Sequence, residues 1–277
     1  MTVYDTKPDR FLKDLHIEDA SAPAERIYCA GFELEEWRCV PFARHLIEWL
    51  PEYALPEEEL NVSHGNMYVK LQQAAVRVYT SEKYKQRGEA GEIALHAICR
   101  DYFGTIPISS RVFYKSASND VVKAFDLVHA RFPAKDILEV WLGESKLYDN
   151  ASQGITDAIA SVRKHIEQGF LQNQKLLLGP QIPKSTPHYE EINAIFKSQT
   201  SIDVLLSSSF SNSDAAKATK DWNDSYVEGV RAELAKLSAK IAESTLSGKI
   251  KILLVYVPLA SKADLVNAFD AKLKGLQ

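Results

Sequence analysis

The chain has 277 residues, 45% of them hydrophobic and 25% charged, with a net charge of −4. That is the balance of a globular protein long enough to bury a large core. It has no apolar run approaching the ~18 residues of a membrane span, no HxxxH or HExxH pair and no GxxxxGK[ST] loop. Those absences argue against a membrane-spanning protein, a zinc hydrolase of that type and a P-loop ATPase.

The three cysteines, Cys29, Cys39 and Cys99, are odd in number and lack CxxC spacing. They read as reduced thiols of a cytoplasmic protein rather than a disulfide or zinc framework. The polar opening MTVYDTKPDRFLKD has no signal-peptide apolar core. Charge is unevenly spread. Residues 1–64 hold 14 acids against 6 bases, a net −8, while the remainder holds 23 acids and 27 bases, a net +4. The division expected is an acidic N-terminal segment over 1–64, suited to docking a basic partner, and a second domain over 65–277 with its core at 86–170. A solvated acidic face is the plainer reading of the same charges.

In chain order, residues 1–25 read as weakly ordered, with a short helix near Asp9–His16. Arg26–Phe32 reads as a strand and Pro41–Tyr53 as a helix carrying Leu46, Ile47 and Leu50 at helical spacing. Pro56 and the run Glu57-Glu58-Glu59 form a boundary. A helix over Asn66–Tyr79 follows, then a stronger one over Gln86–Phe103, with Ala90, Ile93, Ala94, Ala97 and Ile98 on one stripe and Gly104 as its stop. Ile106–Tyr114 reads as a strand and Val121–Leu147 as a hairpin turning at Pro133–Asp136. A long helix runs from near Asn150 to about Leu171, and 172–190 is loop-rich. Tyr189–Lys197 is helical, and Ser201–Ser209 is a strand entering a serine-rich turn, SSSFSNS. Ala215–Thr245 is a broken helix. Lys249–Leu259, continuously apolar and β-branched, reads as a central strand, and Lys262–Leu276 as a closing helix. The order gives an α/β protein with a mixed sheet flanked by helices.

The chemistry concentrates in FDLVHARFPAKDILEVWLGESKLY. If the hairpin folds about Lys135, positions summing to 270 face each other, and Asp126 lies opposite Glu144. Side chains at i and i+2 share a strand face, so Lys146 joins them. The same face otherwise carries Val122, Ala124, Val128, Leu138, Val140 and Leu142. Charges on an apolar face are costly unless paired or bound to a metal. Two hard-oxygen carboxylates beside an ammonium suit Mg²⁺ or Mn²⁺ and phosphodiester hydrolysis. A plain cross-strand ion pair is the alternative.

With Arg87-Gly88-Glu89-Ala90-Gly91-Glu92 on the preceding helix and Gln153 opening the next, the set Glu92, Asp126, Glu144, Lys146 and Gln153 resembles the PD-(D/E)xK nuclease superfamily over residues 86–165. Phe125 stands where the nominal motif has Pro. More narrowly, RGEAGEI, the FD of the second strand, GESK and the long C-terminal extension resemble the HamA family. HamA proteins are nuclease subunits of the Hachiman anti-phage system that pair with a superfamily-2 helicase, HamB. The resemblance implies a restriction-endonuclease-like mixed sheet with helical N- and C-terminal extensions, and DNA as substrate. It also implies Asp126, Glu144 and Glu92 as metal ligands, with Glu89 as rival to Glu92. Lys146 would stabilise charge on the transition state, and Gln153 would bond a metal water or a phosphate.

Two basic stretches, Arg77 to Arg87 and Arg163-Lys164 extending to Lys175 and Lys184, are candidates for backbone contacts to DNA. His96 and His129 read as structural. Two other functions fit the residues: a free-standing restriction- or resolvase-like endonuclease, and a DNA-end-sensing adaptor with a vestigial site.

Overall fold

The computed structural model describes residues 3–15, 25–79, 88–108, 125–134, 137–167, 189–197, 204–244 and 251–276. After a 3-10 turn at Val3–Asp5 come β1 (Lys13–Asp14), β2 (Glu25–Cys29) and a small hairpin of β3 (Phe32–Glu33) and β4 (Glu36–Trp37). Helices α1 (Cys39–Glu48), α2 (Leu50–Ala54), α3 (Met67–Tyr79) and α4 (Glu89–Tyr102) follow, then β5 (Ile106–Pro107), β6 (Leu127–Ala134) and β7 (Ile137–Tyr148). The rest is α5 (Ala151–Glu167), α6 (Tyr189–Lys197), β8 (Val204–Asn212), α7 (Asp214–Ala218), α8 (Asp224–Ala242), β9 (Lys251–Leu259) and α9 (Lys262–Lys274).

Seven strands form one mixed sheet in the order β1-β2-β9-β8-β7-β6-β5. β2, β9, β8 and β7 are parallel neighbours, while β7, β6 and β5 pair antiparallel, as do β1 and β2. The parallel centre requires strands covered on both faces, and β9 meets that demand with an unbroken buried stretch from Leu253 to Val257. One face packs Phe210, Leu253, Val255 and Val257 against α1, α2, α4 and α9. The other packs Ile27, Leu254 and Tyr256 against Ile155 of α5 and Tyr226, Val230, Leu234 and Leu237 of α8. The sequence α4-β5-β6-β7-α5-β8, with α6 inserted before the last strand, is a restriction-endonuclease-like mixed sheet. Helical N- and C-terminal regions flank it.

Local chemistry fixes the helix ends. Gly104 has φ +62, a conformation glycine adopts without strain, and it stops α4. Ser213, Asn223 and Ser261 cap α7, α8 and α9 by accepting from Ala216 N, Tyr226 N and Asp264 N.

Four expected elements differ. The helix near Asp9–His16 is absent over its described part: Lys13 and Asp14 pair with Cys29 and Tyr28 as an edge strand. The three-residue spacing of buried Leu12 and Leu15 mimics a helix stripe, and strand pairing overrides it. The strand expected over Arg26–Phe32 ends at Cys29, because Gly31 at φ +78 turns the chain into the β3–β4 hairpin. The helix expected over Pro41–Tyr53 is two, α1 and α2, because Pro51 has no N–H to continue the ladder past Trp49. The serine-rich turn is no turn. Ser207, Ser208, Ser209 and Ser211 lie inside β8 and are buried. Small side chains allow the close approach of α5: a Cβ on Gly154 would stand 3.5 Å from Ser209 Oγ. The expectations for 109–124, the turn at Lys135 and Asp136, and 168–188 lie outside the described residues.

Candidate active site

The register that folds the hairpin about Lys135 holds in β6 and β7, from Leu127 opposite Gly143 through Arg131 opposite Glu139. It slips by one residue between Arg131 and Ala134, so that Ala134 meets Ile137. Asp126 lies one residue before β6. Its N–H donates to Gly143 O at 2.8 Å, so it continues the pairing and stands beside Glu144. Ser145 N then donates to Asp126 Oδ2 at 2.9 Å. The backbone between Glu144 and Lys146 thereby holds the Asp126 carboxylate.

Packing shows which way these side chains face. A Cβ on Gly91 of α4 would lie 2.8 Å from Ser145 Oγ and 3.3 Å from Leu147 Cβ, and one on Gly143 would lie 3.0 Å from Leu95 of α4. The odd residues of β7 therefore face α4. A Cβ on Gly154 of α5 would lie 3.6 Å from Lys146 Cβ and 3.5 Å from Tyr148, so Glu144, Lys146 and Tyr148 share the α5 face. β8 runs parallel with Ser207 beside Glu144 and Ser209 beside Lys146. Laterally paired residues share a face, so one polar row reads Asp126, Glu144, Ser207.

Glu144 is 3% exposed. A buried carboxylate needs a partner, and Lys146 Nζ supplies one at 3.0 Å from Glu144 Oε2. Burial of Lys146 pulls its pKa down. The carboxylates of Glu144 and Asp126 outweigh that pull, and the net shift is upward from the ordinary 10.5. Lys146 is a cation over the whole physiological range. Tyr148, next along the same face, is pushed up by burial and by its hydrogen bond to Asp157, so its phenol is neutral.

Asp126, Glu144 and Lys146 thus come together. Glu92 and Gln153 lie on the flanking helices, α4 and α5. Glu92 rides on α4, which covers the opposite face of the sheet. It is buried and accepts from Tyr53 Oη at 2.5 Å. Glu89 is buried on the same helix. Gln153 is exposed near the start of α5 and its Nε2 donates to Asp157 Oδ1 at 2.7 Å. Among the described residues no three His, Cys, Asp or Glu side chains form a group able to hold a metal. Asp126 and Glu144 are two hard-oxygen donors, with no sulfur or imidazole beside them. That set fits Mg²⁺, which keeps several waters and takes one or two carboxylates.

Of the basic stretches, Arg77 is tied to Glu59 at 2.8 Å, and 80–87 lie outside the described residues, as do Lys175 and Lys184. Arg163 and Lys164 are exposed on α5. His96 and His129 are buried against each other, Nδ1 to Nε2 at 3.1 Å, and His129 Nδ1 meets Thr105 Oγ1 at 2.7 Å. Two residues of the site face were missed from sequence. Tyr148 was within reach of the same i+2 rule that placed Lys146. Ser207 was hidden by reading SSSFSNS as a turn.

A mixed sheet in this element order, with Asp126, Glu144 and Lys146 where its antiparallel hairpin meets its parallel half, defines a restriction-endonuclease-like α/β protein. The HamA family model matches residues 8–273. The chain belongs to the HamA family. No curated protein and no solved structure matches the chain.

Proposed function

We propose that this chain is a metal-dependent deoxyribonuclease that cuts DNA in concert with a superfamily-2 helicase, HamB-like, in anti-phage defence. The observation that carries the reading is the part-buried Glu144–Lys146 ion pair on one sheet face, with Asp126 bonded beside it through Gly143 O and Ser145 N. HamA membership supports a role in the Hachiman defence system. The net −8 of residues 1–64 supports dependence on a partner, since an acidic surface repels the phosphate backbone. No described helix is long and apolar enough to cross a membrane, which fits a nuclease that meets DNA in the cytoplasm.

Asp126 and Glu144 would hold Mg²⁺ or Mn²⁺. When bound, the cation supplies Lewis-acid polarisation of the phosphate and a more acidic water. The protein's own groups do the rest. Ser145 N–H fixes the Asp126 carboxylate. Lys146 presents a permanent positive charge where negative charge grows on the phosphoryl oxygens. Its raised pKa suits charge stabilisation and opposes a general-base role. Glu92, which accepts from Tyr53, and Gln153, which donates to Asp157, stay in this reading as candidates to reach the cation or its waters.

The test is plasmid cleavage with and without Mg²⁺, and with and without the helicase. Wild type is expected to cut only with the metal. Glu144→Ala and Lys146→Ala should each lose on the order of 100-fold or more while remaining folded. Undiminished cutting by both variants would overturn the proposal.

A further inference from the structure

Ser207 lies on this face and the proposed chemistry leaves it unused. It is 4% exposed, it pairs in register with Glu144 across the parallel ladder, and it shares the α5 face with Glu144 and Lys146. Among the described residues its Oγ is buried with no hydrogen-bond partner. Its neighbours are accounted for differently: Ser208 Oγ donates to Glu144 O at 3.0 Å, and Ser209 and Ser211 stand 3.3 Å apart, Oγ to Oγ. A buried hydroxyl without a partner costs stability. A purely structural strand would do better with Ala or Val at that position.

We propose that Ser207 is a positioning residue of the cation site, a reading that rests on the proposed nuclease function. A hydroxyl both donates and accepts. Ser207 can donate to the Glu144 carboxylate and accept from a water on the cation that Glu144 ligates. Mg²⁺ and Mn²⁺ keep such waters, and groups of this kind orient the direct ligands. The hydroxyl is the feature that Ala or Val at this position would lack.

The experiment is isothermal titration of the full chain with Mn²⁺, without DNA, alongside thermal unfolding. The proteins compared are wild type, Ser207→Ala, Ser207→Thr and Ser209→Ala. Ser207→Ala is expected to weaken Mn²⁺ binding about 10-fold with an unchanged or higher Tm, because the variant removes a buried hydroxyl that has no partner among the described residues. Ser207→Thr, which keeps the hydroxyl, should restore most of the affinity, and Ser209→Ala should bind like wild type. Equal affinity of wild type and Ser207→Ala would overturn the inference and leave the nuclease reading intact. So would a loss of affinity that tracks a lower Tm and is not rescued by Thr. A wild-type chain that binds no Mn²⁺ would instead overturn the nuclease reading, and this inference with it.

Discussion

Ser145 N donates to Asp126 Oδ2 at 2.9 Å across the two strands of the hairpin. The peptide that separates Glu144 from Lys146 therefore also aims the third member of the set. Asp126→Asn keeps an oxygen acceptor for that N–H but loses the charge. It should cost less stability than loss of the whole side chain, since only the charge that helps hold the Lys146 ammonium is removed, while DNA cleavage and Mn²⁺ binding collapse. Asp126→Ala loses the bond as well and should also cost about 1.5–3 kcal/mol of stability, the range for hydrogen bonds to charged groups. Denaturant unfolding beside Mn²⁺ titration separates the two effects.

The Lys146 ammonium has a folded-state pKa raised above 10.5, because Glu144 and Asp126 outweigh its burial. A raised pKa means that the folded chain binds the proton more tightly than the unfolded one. Its contribution to stability is complete below 10.5 and is lost as pH rises through the folded value. Wild-type stability should therefore fall on the alkaline side of 10.5 more steeply than that of Lys146→Met. The cleavage rate should show no basic limb from this group at any lower pH. A limb near neutrality that vanishes in Lys146→Arg would show that the lysine acts as a base.

Gly143 sits between Leu95 of α4 and Leu127 of β6. A Cβ there would stand 3.0 Å from Leu95 Cδ2 and 3.1 Å from Leu127 Cβ. Leu127 Cβ is fixed by its own strand and cannot swing aside. Gly143→Ala should cost about 1–3 kcal/mol by overpacking and shift α4 away from the sheet. Urea unfolding reads the cost, and a cost near zero would mean that α4 yields freely.

Glu92 is 3% exposed and accepts from Tyr53 Oη. Tyr53→Phe should cost about 1–3 kcal/mol, because it takes a hydrogen bond from a buried acid. Glu92→Gln separates the two roles open to this residue. If it only anchors α2 to α4, specific activity per folded molecule stays at the wild-type level. If it reaches the cation, activity falls by about 10-fold or more with little change in melting temperature.

Much of this protein is written in its local sequence. The stripe Ala90, Ile93, Ala94, Ala97 and Ile98 makes α4, the stop at Gly104 ends it, and the apolar run of β9 makes a central strand. Strand alternation together with the β6–β7 register sets Asp126 beside Glu144 and Lys146, because a two-residue period and a hairpin register are short-range properties. Other features were out of reach because they depend on long-range pairing. SSSFSNS reads as a turn until α5 and the parallel neighbours β7 and β9 enclose it as a strand. Lys13 and Asp14 become strand only because β2 lies alongside. Which face of the sheet receives Glu144 and which receives Glu92 follows from how α4 and α5 pack on opposite sides. Sequence determined the Asp–Glu–Lys set and its register, and tertiary packing decided what surrounds it. The physical reason is the range of the forces: helix and hairpin periodicity act within a few residues, whereas close approaches such as Gly91 to Ser145 and Gly154 to Ser209 exist only once distant segments share one core.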